Sequence, residues 1–135
     1  MKNKFEIALL TDKIESIAKK IDRVYLGDEF CENLIPALDA LKRDYFYAKV
    51  KNKKFTFVTP FVTNAGLKRI EGLLNFLNNQ KDIEVVFNDW GVLKLIKDKF
   101  KNLKPVLERL LTKQRRDPRM LRIFLLTGEW LLENE

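Results

Sequence analysis

Four short apolar runs in this 135-residue chain each end on polar residues that could do chemistry. FEIALL is followed by Asp12, RVYLG by Asp28, KFTFV by Thr59, and IEVVF by Asn88 and Asp89. If the runs are strands of a parallel sheet, these residues sit at the carboxyl ends, where ligands meet open sheets and barrels alike. Converging carboxylates there could hold a cation through oxygen ligands or transfer a proton. Asn88, Asp89, Asp12 and Asp28 are therefore the candidate catalytic residues. Each also has a structural reading, and it is the preferred one: Asp89 as the N-cap of a helix, Asn88 as a turn former, Trp90 as a packing residue.

The residue inventory narrows the chemistry further. The chain has no histidine, which excludes Ser-His-Asp and Cys-His nucleophilic machinery and His-ligated zinc. One cysteine, Cys31, makes neither an internal disulfide nor an iron–sulfur site, and agrees with a reducing compartment. The five glycines are scattered, and no dinucleotide or P-loop fingerprint occurs. What remains is carboxylate, lysine or tyrosine chemistry, or a metal on oxygen ligands. No cofactor and no specific metal site are expected.

The elements that must position these residues follow from periodicity. Short apolar runs alternate with stretches of helical period, the pattern of a parallel sheet wrapped by helices. FEIALL predicts a first strand; Asp12 and Glu15 resemble a capping box for a helix marked by Ile14, Ile17, Ala18 and Ile21. Val24, Tyr25 and Leu26 make the second strand, with Asp28 as turn or cap. Between Cys31 and about Lys51 the alternation of Phe46, Ala48 and Val50 competes with a helical stripe of Leu34, Leu38, Leu41, Tyr45 and Ala48. The helix is preferred, with Pro36 near its start. KKFTFVTP is a third strand stopped by Pro60, and Thr63 or Asn64 caps a helix bearing Leu67, Ile70, Leu74 and Leu77. NNQKD turns into the fourth strand, IEVVF, and Val92 or Leu93, Ile96 and Phe100 form the stripe of the next helix. Pro105 opens a fifth strand, VLERLL, and Asp117-Pro118 starts a last helix.

That last helix, MLRIFLLTGEWLLENE, is apolar nearly all round, so Ile123, Phe124, Leu126 and Trp130 are expected at an interface with another chain. Charge is also uneven. Residues 94 to 122 hold 11 Lys or Arg against 3 Asp or Glu, leaving 15 against 16 elsewhere. Lys113, Arg115, Arg116, Arg119 and Arg122 are the candidate phosphate partners should this segment bind RNA; a solvated helix face with a basic loop is the preferred reading. Trp90, Phe100 and Phe124 have helix-stripe spacing and are expected in the core rather than stacked on bases.

VYLGDEFCENLIPALDAL, FVTPFVTNAGLKRIEGLL, IEVVFNDWGVLKLI and LKPVLERLLTKQRRDPR, in that order, resemble the N-terminal barrel segment of the collagenase-like peptidase family. NDWG and LLTKQRRDPR are the most distinctive parts. The resemblance implies a TIM-barrel-like region, and relatives are implicated in hydroxylation of RNA or ubiquinone, or in proteolysis. Several members bind an iron–sulfur cluster through cysteines of a more C-terminal region; Cys31 does not match that set, and no catalytic residue is carried across.

The expectation is thus a single α/β domain over residues 1–135, a parallel sheet of about five strands wrapped by helices and resembling a partial TIM-type barrel. In function it is expected to be an incomplete or non-catalytic relative acting as a partner-binding subunit. A homo-oligomer or a companion chain would supply the rest of a barrel. An RNA-binding module and an enzyme with a carboxylate site are the alternatives. No run approaches the roughly 18–20 apolar residues of a membrane span, and MKNKFEIALLTDK has no signal-peptide core, so a cytoplasmic protein without a membrane role is expected.

Overall fold

The computed structural model describes residues 5–108 and residue 111. Among them the chain forms β1 (Ala8–Thr11), β2 (Arg23–Gly27), α1 (Leu38–Val50), β3 (Lys54–Val58), α2 (Asn64–Asn78), β4 (Glu84–Phe87), α3 (Trp90–Lys99) and β5 (Lys104–Leu107), with a short 3-10 turn at Glu32–Leu34. The sheet has five strands, all neighbours parallel, in the order β1-β2-β3-β4-β5. This is an α/β fold. Because every strand pairs with the next in sequence and crossovers are right-handed, the helices fall on one face.

The core confirms that placement. Val24, Leu26, Phe55, Phe57, Val85 and Phe87 from alternate strand positions form one buried cluster with Leu41, Tyr45 and Ala48 of α1, Ile70, Leu73, Leu74 and Leu77 of α2, and Val92 and Ile96 of α3. The intervening strand residues face the other way. Tyr25, Thr56, Glu84 and Lys104 form one cross-strand row of that second face, and Gly27, Val58, Val86 and Val106 the next. Among the described residues no helix covers this face.

Gly27 is required by geometry. Its φ is +132°, and a Cβ built there would lie 2.2 Å from the carbonyl oxygen of Val58 on the adjacent strand. Asn52 and Asp82 take positive φ in the turns entering β3 and β4; both are residue types that tolerate the left-handed region.

Several expectations need correction. No helix joins β1 to β2: residues 12–22 are irregular, and β1 begins at Ala8 rather than Phe5. Ile14 and Ile21 are buried as expected of that stripe, but they anchor a loop. Three β-branched isoleucines weaken helix propensity, and Thr11 Oγ1 donates to the Lys13 carbonyl and accepts from the Lys13 amide, which shapes a turn where a cap was expected. Asp12 therefore caps nothing. The helix expected from Cys31 starts at Leu38, since Pro36 disfavours helical geometry just before it, and Leu34 and Leu38 are exposed. The fifth strand ends at Leu107, short of the expected VLERLL. The final helix lies outside the described residues.

Candidate functional site

At the carboxyl ends of the strands, one side chain ties the loops together. Asn88 is fully buried directly after β4, and its Nδ2 donates to the Thr59 carbonyl at 3.1 Å and the Glu29 carbonyl at 3.4 Å. These carbonyls belong to the loops after β3 and β2. Thr59, also fully buried, donates both its amide and its Oγ1 to the Val86 carbonyl, at 2.9 and 3.0 Å. The carboxamide thus continues cross-strand bonding where the ladder has stopped. Its Oδ1 is buried and accepts no hydrogen bond among the described residues.

Asp89 is the N-cap of α3, accepting from the Gly91 amide at 2.7 Å with extended backbone. Asp28 organises its own loop: Oδ1 accepts from the amides of Phe30 and Cys31, each at 2.7 Å. Asp12 and Asp28 share a cleft of ≈ 320 Å³ with Glu29, Leu10 and Phe30. Of the four candidate acids and amides, the fold therefore brings Asp12 and Asp28 together, sets Asn88 behind them against the Glu29 backbone, and turns Asp89 to the helix end. Among the described residues no three of His, Cys, Asp and Glu converge as a metal-ligand group. Asp28, Asn88 and Asp89 are engaged in loop bracing and capping, whereas Asp12 lines the cleft without such a bond among the described residues.

Trp90 departs from the packing role expected of it. Its ring centroid lies 6.1 Å from that of Phe87, yet the residue is 60% exposed. As the first residue of α3 it projects beyond the end of the sheet. Phe100 is buried as expected.

Glu32 was not singled out by its sequence. Its carboxylate reaches the start of α2, accepting from the Thr63 amide at 2.6 Å and from Thr63 Oγ1 at 2.9 Å. Thr63 in turn caps α2 by accepting from the Gly66 amide. The Thr63 backbone and side-chain hydrogen bonds, with a smaller contribution from Arg69, hold the Glu32 carboxyl below its ordinary range. Arg69 binds the carbonyls of Glu32 and Ile35, at 3.5 and 3.0 Å. Nothing local marks this pairing, whose partners stand 31 residues apart.

The amino ends of the strands carry an ionic mesh. Arg23 donates to Glu6 at 2.6 Å, Glu84 at 3.0 Å and Thr56 at 2.8 Å; Lys54 also pairs with Glu6, and Lys104 with Asp82. The hydrogen bonds from Lys54 and then Arg23 lower the Glu6 carboxyl below its ordinary value. Within the basic stretch expected to attract RNA, Lys99 is paired with Glu71 at 2.5 Å and Lys104 with Asp82. Lys113, Arg115, Arg116, Arg119 and Arg122, and the interface candidates Ile123, Phe124, Leu126 and Trp130, lie outside the described residues.

Comparison of the chain with protein-family models, curated proteins and solved structures gives no match.

Three outcomes follow from this geometry. Asp89→Ala should lower stability by about 0.5–2 kcal/mol in chemical denaturation. Asn88→Asp replaces a donor with a carboxylate facing two carbonyls, so it should cost about 1–3 kcal/mol or more near neutral pH. Protonation restores a donor, so that penalty should shrink on acidification; a pH-independent loss would contradict the bracing role. For Glu32 the folded carboxyl is the stronger acid, so its stabilisation is present above the ordinary value of 4.5 and is lost as pH falls through the lower folded value. Glu32→Gln should therefore be less stable than the parent near neutrality and converge with it in acid, read from denaturation curves across that range.

Proposed function

We propose that this chain is a non-catalytic β/α subunit that works by binding a partner through the face of its sheet opposite the helices. The observation that carries this reading is the pairing of a one-sided helical layer with apolar residues on the other side. Leu10 at one edge strand is 56% exposed and Val106 at the other is 39% exposed. Between them, Val58 and Val86 on the same face are apolar but buried, so its exposed apolar residues lie on the two edge strands. Parallel sheets are ordinarily covered on both faces.

Engagement of the strand-end residues in caps and braces supports a binding role over catalysis. The resemblance to a barrel segment supports it too, since in a barrel this face is the filled interior. A second copy of the chain is the economical partner, because one self-complementary contact would cover two such faces.

Sedimentation velocity over a range of low micromolar concentrations should reveal a dimer. Leu10→Glu with Val106→Glu should shift it to monomer while far-ultraviolet circular dichroism is retained. A concentration-independent monomer, or a dimer indifferent to both charges, would overturn the reading.

A further inference from the structure

The two most exposed large apolar residues among those described, Phe5 at 85% and Val50 at 82%, belong to the same pole of the molecule. Phe5 precedes β1 and borders a cleft with Asn52, Lys53 and Lys54; Val50 ends α1 just before that same turn. Both lie at the amino ends of the strands, away from the Asn88 brace. The sequence around Val50, AKVKNKK, supplies lysine at 49, 51, 53 and 54 and no carboxylate.

The charges at this pole are sorted. Glu6 is taken by Arg23 and Lys54, Glu84 by Arg23 and Thr56, and Asp82 by Lys104, while Asp22 accepts from the Ile7 amide. Lys53 donates to the Lys19 carbonyl. Lys49 and Lys51 have no salt bridge among the described residues; they lie over the rings of Tyr45 and Tyr47, each 5.8 Å from the centroid. Glu6, Glu84 and Asp82 are thus paired with cations, Asp22 is held by a backbone amide, and Lys49, which also acts on Asp82, and Lys51 stand beside the apolar tips without a salt bridge among the described residues.

We propose that this pole docks on an anionic lipid surface, with Phe5 and Val50 entering the interface and Lys49 and Lys51 meeting the headgroups. Lysines on long apolar stems beside exposed apolar tips suit the boundary between headgroups and acyl chains. The aliphatic Val50 has no π-face for a nucleic-acid base. Arg23, the side chain suited to fork a single phosphate, is committed to Glu6 and Glu84, so the attraction is diffuse and needs an extended charged surface rather than one phosphate. No described helix is long and apolar enough to cross a membrane. This proposal is independent of the partner-binding face.

Co-sedimentation of the full chain with phosphatidylcholine vesicles, alone or containing phosphatidylglycerol, tests it. Binding should require the anionic lipid and fall with added salt. Lys49→Gln with Lys51→Gln should weaken it by roughly an order of magnitude or more, as should Phe5→Ser with Val50→Ser. Both pairs are at the surface, and circular dichroism and thermal melting establish that they fold. Absence of binding to anionic vesicles at low salt, equal binding to neutral vesicles, or binding that survives the Phe5 and Val50 changes would overturn the proposal. Binding to heparin as strong as to anionic vesicles would also do so, since it would reveal mere attraction to polyanions.

Discussion

Parallel strands laid down in sequence order, each joined to the next by a right-handed crossover, impose the constraint from which the rest of this structure follows. With that order every helix is delivered to the same side, and a single apolar cluster is built between α1, α2, α3 and one face of the sheet. The alternation of side chains along each strand then has two different meanings. One set, including Phe55, Phe57 and Val85, is core; the other, including Tyr25, Val58 and Val86, is left on a side with no described helix. The proposed contact surface is thus a product of topology and needs no special sequence.

The two ends of the strands divide the remaining work. At the carboxyl ends hydrogen bonds do the bracing: a buried carboxamide and a buried hydroxyl bridge the loops, and the carboxylates of Asp28, Glu32 and Asp89 accept from backbone amides. At the amino ends ionic pairs centred on Arg23 link residues from β2, β3, β4 and the segment before β1. Arg23 is well suited to that place because its planar fork reaches several acceptors at once. A lysine there could satisfy fewer partners from one fixed position.

Local sequence carried most of this architecture. Apolar runs of strand length located all five strands, three of them nearly in place, and the cap residues Thr63 and Asp89 were legible because a side-chain acceptor before a helical stripe has a simple local purpose. The failures are equally physical. Ile14, Ile17 and Ile21 repeat at helical spacing, but burial of two of them in the core, not helix formation, is what that spacing reflects. Trp90 resembled core because aromatic residues usually are, while its place at a helix start sets it beyond the sheet. The Glu32–Thr63 pair and the carbonyl partners of Asn88 join positions distant in sequence, so no window of residues could have revealed them. At the strand ends the residue types were correctly located, but type alone did not reveal which carbonyls and amides each would bind.

The missing helix between β1 and β2 has a kinetic consequence. β1 is a four-residue edge strand whose residues are all exposed or half-buried, held by its ladder to β2 and by the loop anchors Ile14 and Ile21. The other strand-to-strand connections each carry an α-helix packed on the sheet. Amide protons of β1 are therefore expected to exchange with solvent through a local opening, and those of the buried β3 only through a larger one. Among the described residues β1 is thus the strand joined to its neighbour without a helix, and as an edge strand it offers unpaired backbone to a competing strand from outside.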